Sequence, residues 1–260
     1  MQLKKNPVKQ ALRNGQTVFG IYIGVPSPTM VEFAGYAGFD FVRIDISHNG
    51  YDLPTIVNMI RAAEATGVAP MVRVDNDPYL IANVLEAGAL GLFIPDVATA
   101  EKAASVVKAV HFAPMGDRGT YSASRIARYG AISGGEYCSW SNEEILLGFQ
   151  IESKEAADNL ERTLSVDGID LIGSGRGDLS NSLGPTGQKT HPAVLALEEK
   201  IFAAAKRRGK YISVNLDPTA PKFAEEVAAW KRKAQVITLG HDITIIRRNF
   251  SDAIKTARES

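Results

Sequence analysis

The chain holds a single cysteine, Cys138, so no disulfide can close within it, and it reads as a protein of a reducing, cytoplasmic compartment. It has no excess charge of either sign: 29 Lys and Arg balance 29 Asp and Glu, with no basic run. That balance argues against nucleic acid or an anionic membrane as the main partner. No apolar stretch approaches the roughly 18 residues of a membrane span. The opening "MQLKKNPVKQALRNGQ" lacks the apolar segment of a signal peptide and reads as the start of a mature soluble protein. With one Cys and four His, the clusters that a structural zinc needs are missing. Also missing are a GxGxxG after the first strand, the Lys and Ser/Thr of a P-loop, and a GxSxG nucleophile elbow.

What is present is a regular alternation of short apolar runs and helical patterns. Strands are expected at 17–23, 39–44, 69–74, 90–95, 145–151, 168–173, 210–215 and 234–240. Most are continuously apolar rather than alternating, as in strands buried on both faces. Pro54, Pro78 and Pro192 open helical stretches between them. Eight such units in 260 residues, 45% of them hydrophobic, fit one (β/α)8 barrel domain spanning 1–260. A doubly wound open sheet is the alternative. Residues 111–143 show almost no aliphatic periodicity and read as a long loop, either a functional lid or a loosely ordered insertion.

In a barrel, the residues after each strand share the face that holds the active site. After the second strand come Asp45, Ser47 and His48; Arg73 ends the third; Gln150 and Glu152 close the fifth; "GSGRGD" with Asp178 follows the sixth. Glu152 and Asp178 could each serve only as an acid at the start of a helix. Together, beside Gln150, they suit a hard divalent cation held by oxygens. His48, three residues after Asp45, is a candidate acid–base group, with a structural or exposed role as the alternative. Arg73 is expected to face an anion: a substrate carboxylate, an enolate oxygen, or simply Asp45. A phosphate loop at "GSGRGD" is a weaker reading, since barrel phosphate sites follow the seventh and eighth strands.

The run of "RIDISH", "APMVRVDNDP", "ALGLFIPDV", "GDRG", "FQIESKEA", "GSGRGDLS" and "TLGHD", in this order, resembles the metal-dependent pyruvate aldolases of the HpcH/HpaI type. The resemblance covers nearly the whole chain. It implies a (β/α)8 barrel whose last helix packs on a neighbouring subunit, in a homohexamer built from dimers. It implies Glu152 and Asp178 as ligands of a divalent metal (Mg2+, Mn2+ or Co2+) and Gln150 on a metal-bound water or the keto oxygen. The amides around Gly175 and Gly177 would receive the pyruvate carboxylate, and Arg73 the keto or enolate oxygen. His48 would act with an acid of the third helix, where Glu86 stands in place of the usual aspartate. The substrate would be a 4-hydroxy-2-oxo acid, cleaved to pyruvate and an aldehyde.

Three departures from the family pattern alter charge near the second substrate. Ser47 stands where the family carries a glutamate, Arg176 where it carries a proline, and Asp96 follows "FIP" where an apolar residue is usual. Arg176 would suit an extra substrate carboxylate. A citrate-synthase-like enzyme, an acyl-CoA lyase and an inactive binding barrel are the rival readings. No lysine is expected at a strand end as a Schiff base; Lys210 only starts a strand.

Overall fold

The computed structural model describes residues 3–260. Its strands are β1 (Val18–Ile23), β2 (Phe41–Asp45), β3 (Ala69–Arg73), β4 (Gly91–Ile94), β5 (Leu146–Ile151), β6 (Leu171–Ser174), β7 (Tyr211–Leu216) and β8 (Val236–His241). They are parallel, each pairs with its sequence neighbour, and β8 pairs back onto β1 to close the barrel. The helices are α1 (Pro7–Arg13), α2 (Pro28–Tyr36), α3 (Leu53–Thr66), α4 (Pro78–Ala87), α5 (Ala100–Val110), α6 (Gly134–Glu144), α7 (Lys154–Asp158), α8 (Leu160–Thr163), α9 (Arg176–Leu183), α10 (Pro192–Arg207), α11 (Phe223–Trp230) and α12 (Asp242–Glu259). The (β/α)8 barrel expected from the alternation is therefore the fold, and each expected strand overlaps an observed one.

Strand alternation builds two cores. Val42, Ile44, Val72, Leu92, Phe149 and Ile172 point outward and pack under the helices. Val18, Phe41, Met71, Phe93, Leu146 and Leu171 point inward and fill the floor of the lumen. Val8 and Leu12 of α1 join that inner cluster, so the first helix stoppers the barrel from below. Asn6 holds this helix by accepting from the amides of Val8 and Lys9, at 3.0 and 3.2 Å.

The segment 111–143 corrects two expectations. It joins the end of α5 to the start of β5, so it lies at the floor of its own barrel and does not cover the mouth. It is also not all loop, because Gly134–Glu144 form α6, with the Ser133 hydroxyl accepting from the Glu136 amide at 3.3 Å. The helix hides because it buries Tyr137, Ser141 and Glu144, a stripe with little apolar signal. Phe112, Ile126, Ala127, Ile132 and Tyr137 give the segment a small core of its own.

Candidate active site

Asp45 organises the mouth. Its side chain is almost fully buried; Oδ1 accepts from the amides of Ser47 (3.2 Å) and His48 (3.3 Å), and Oδ2 accepts from Arg73 Nη1 at 3.3 Å. One carboxylate thus fixes both the turn that presents His48 and the guanidinium on the next strand. The expected ion pair of Arg73 with Asp45 is present, and the other arm of the guanidinium, Nη2, lies 3.9 Å from Glu152 Oε2. Arg73 Nε has no partner.

Glu152 is the hub on the opposite side. Oε1 accepts from the Asp96 amide at 2.8 Å, and Oε2 accepts from Gln150 Nε2 at 2.6 Å. Burial raises its pKa above the ordinary carboxylate range; the Asp96 amide and Arg73 oppose this, and nearby Asp178 adds to it. Ser153, not Glu152, caps α7, its hydroxyl accepting from the Ala156 amide at 3.1 Å. Asp178 does sit in the first turn of α9, as the helix-start reading required. Gly175 lets this corner close: a Cβ there would lie 2.5 Å from Gln150 Nε2 and 2.9 Å from Glu152 Oε2.

A cavity of about 220 Å3 opens above these groups, lined by Ser47, His48, Arg73, Asp75, Pro95, Asp96, Glu152 and Asp178. His48 is exposed at its rim. Asp96 holds φ at +53°, a left-handed conformation tied down by its bond to Glu152, and its carboxylate meets Lys102 Nζ at 2.7 Å. Among the described residues no group of three or more His, Cys, Asp or Glu gathers as a metal cluster. The donor set is two carboxylates, Glu152 and Asp178, with the buried Gln150 Oε1 lacking any partner. Two like charges and an orphaned carbonyl in a half-dry corner fit a hard divalent cation, with room left for substrate oxygens.

Three expected site residues stand elsewhere or act otherwise. Glu86 lies at the far end of α4, at the barrel floor, where its carbonyl accepts from Ile126 at 3.0 Å and its side chain faces Arg118. It cannot pair with His48 of the same barrel, because α4 runs from the mouth to the opposite end. Arg176 turns away from the cavity: Nε donates to both oxygens of buried Glu198 at 3.0 Å, and Nη2 to Oε2 at 2.5 Å. It does not line the cavity. The Gly175 amide is also engaged, donating to the Ile151 carbonyl at 3.1 Å. The free donors at the start of α9 are the amides of Arg176, Gly177 and Asp178, where no side chain caps the helix.

Some mouth residues were not singled out from the sequence. Asp75 lies two residues past Arg73, and the strand-end rule would have found it. His241 ends β8 and lies in "TLGHD", so the same rule would have found it too; Tyr22 and Arg43, inside their strands, gave no comparable signal.

A parallel barrel with an all-oxygen acid pair at its mouth and an arginine beside it defines an enzyme-type site in the (β/α)8 class. Residues 18–248 match the model of the HpcH/HpaI aldolase/citrate lyase family. A hydroxypyruvate/pyruvate aldolase from Chromohalobacter salexigens is 36% identical over 250 residues, 95% of this chain and 96% of that protein. Among solved structures, an HpcH/HpaI aldolase from Desulfitobacterium hafniense superposes with a TM-score of 0.91 at 29% identity, covering 99% and 98% of the two chains. The citrate synthase SbnG superposes with a TM-score of 0.85 at 31% identity, covering 96% and 97%. The chain belongs to the HpcH/HpaI aldolase/citrate lyase family.

Proposed function

We propose that the protein is a divalent-metal-dependent aldolase that cleaves and forms 4-hydroxy-2-oxo acids, with pyruvate and an aldehyde as the partners. The observation that carries this reading is the grouping of Glu152, Asp178 and Arg73 around one cavity, with Gln150 bonded to Glu152 and its Oε1 orphaned. Glu152 and Asp178 would hold Mg2+, Mn2+ or Co2+, which when bound supplies Lewis-acid polarisation of the 2-keto oxygen. The amides of Arg176, Gly177 and Asp178 seat the pyruvate carboxylate at the positive end of α9. Arg73 places its guanidinium where the enolate oxygen gains charge, already oriented by Asp45. Gln150 orients substrate or solvent oxygen beside Glu152. His48, held at the rim by the Asp45 turn, moves the proton of the aldehyde-derived hydroxyl.

The synthase-like alternative needs a cation for an additional carboxylate, and the Arg176–Glu198 pair removes the one the sequence offered. Exposed Ile243, Phe250 and Ile254 on α12 support an oligomer, read as a hexamer with that helix on a neighbouring subunit. Light scattering on the purified protein tests that state. No helix among the described residues is long and apolar enough to cross a membrane.

The activity test is proton exchange without aldehyde. With Mn2+ or Mg2+ in D2O, the pyruvate methyl signal should decay, and a chelator should stop it. His48→Ala should slow this exchange less than Arg73→Ala. Absence of metal-dependent exchange would overturn the aldolase reading.

A further inference from the structure

Arg43 is the largest fully buried side chain with a formal charge, 1% exposed, and it has no carboxylate partner. It points into the lumen two residues below Asp45. Nη1 donates to the Tyr22 hydroxyl at 2.9 Å and Nη2 to Ser213 Oγ at 3.3 Å, while Nε is unpartnered. Its guanidinium lies 4.0 Å from the Phe93 ring centre and 4.9 Å from that of Tyr22. An arginine stays charged, and a buried charge without a counter-ion opposes folding. Such a group calls for a use.

Directly above, the Tyr22 ring stacks on His241, centres 4.3 Å apart and planes 9° from parallel. That contact depends on an irregularity in β8. Val236 and Thr238 pair with Val18 and Gly20 on the lumen side, but the next partner of Tyr22 is His241, not residue 240. The extra residue is Gly240, at φ +76°, its amide donating to Asn215 Oδ1 at 3.2 Å. A β-bulge of this kind switches the parity of the strand and re-aims the following side chain. Here it aims His241, the last residue of β8, at Tyr22 at the mouth end of the barrel, just outside the lining of the cavity, where the charges of Asp45, Asp242, Arg73 and Arg43 act on its ring. Neither ring nitrogen of His241 has a hydrogen-bond partner among the described residues; burial lowers its pKa, and in either tautomer the imidazole keeps an N–H to donate.

We propose that His241 hydrogen-bonds the carbonyl oxygen of the incoming aldehyde, with Tyr22 and Arg43 as the positioning residues that hold the imidazole flat beside Asp45. The assignment rests on the aldolase reading. It gives the buried cation a purpose: Arg43 fixes the Tyr22 hydroxyl, Tyr22 fixes the imidazole plane, and the bulge sets its direction. The metal ligands and the carboxylate seat, on β5 and β6, lie outside this column, which meets the pyruvate end only at Asp45 and Arg73.

The test separates the two half-reactions. His241→Phe keeps a ring to stack on Tyr22 but removes both nitrogens. It should lower kcat/KM for the aldehyde about tenfold or more, the scale of one lost hydrogen bond in a closed site, while metal-dependent deuteration of pyruvate stays within about twofold of the parent. Arg43→Met, which keeps bulk and removes charge and the Tyr22 bond, should show the same split with Tm unchanged or raised. Condensation by His241→Phe at the parental rate overturns the proposal, as does an equal fall in both half-reactions. Should Arg43→Met fail to fold, His241→Phe decides alone. If the parent protein exchanges no pyruvate protons, the aldolase reading itself fails, and this assignment with it.

Discussion

Glu152 bears a burial penalty and a like-charged neighbour, so its pKa is raised above the ordinary carboxylate value in the folded chain, against the Asp96 amide and Arg73. The sign follows from linkage. A carboxyl whose folded pKa lies above its unfolded value contributes most below the unfolded value, and stability falls as pH rises through the folded one. Glu152→Gln removes this titration, so calorimetry should find the metal-free Tm less dependent on pH above the ordinary carboxylate range. The same variant and Asp178→Asn should lose tight Mn2+ binding in titration calorimetry while staying folded; unchanged affinity in either would remove that residue from the metal site. Arg73→Lys keeps the charge but replaces a planar fork with a point, and steady-state activity should fall about 100-fold or more, as when an oxyanion donor is lost. A variant within twofold of the parent would leave Arg73 as a tether for Asp45 only. Most of these residues were legible because each ends a strand: Asp45, Arg73, Gln150 and Glu152 meet by topology alone. Glu86 stands away from this mouth, at the barrel floor, because a motif match along the chain does not say which end of a helix a residue occupies. Arg43 stayed invisible, since one charge inside "FDFVRI" looks like a strand-edge residue until closure of the barrel buries it.

Among elements, the parity switch in β8 and the helix within 111–143 were both beyond reach of the sequence, for different reasons. Gly240 sits in an apolar run, "AQVITLG", and nothing local distinguishes a glycine that ends a strand from one that bulges it. Its role is testable: a Cβ there would lie 2.7 Å from Pro218 Cδ at a left-handed φ of +76°. Gly240→Ala should destabilise the protein by about 1–3 kcal/mol in denaturant unfolding, with the aldehyde step impaired more than pyruvate exchange. A neutral result would mean that β8 accepts a regular ladder. In α6, polar residues are the buried face. Glu144 Oε2 accepts from the Asn6 amide at 2.6 Å and Oε1 from Arg13 at 3.2 Å, so its stripe is read by α1 through hydrogen bonds and not through apolar contact.

For the whole molecule, the eight strands were readable because a parallel barrel buries both faces of each and leaves continuous apolar runs. The long connection at 111–143 runs from a helix to a strand, and in a barrel that order alone puts it at the floor. The stopper formed by α1 has a kinetic consequence. With Val8 and Leu12 packed among Phe41, Phe93 and Leu146, nothing passes through the lumen, and everything that reacts must use one entrance. On the proposed reading the oxo acid's carboxylate is seated at the start of α9, and an aldehyde arriving first would stand in its path. Turnover should then be ordered, with pyruvate first on and last off. In the cleavage direction, pyruvate should inhibit competitively against the oxo acid and the aldehyde noncompetitively. Excess aldehyde should slow condensation by occupying the doorway. Product-inhibition plots showing the two products interchangeable would mean that the entrance is wide enough for both to pass.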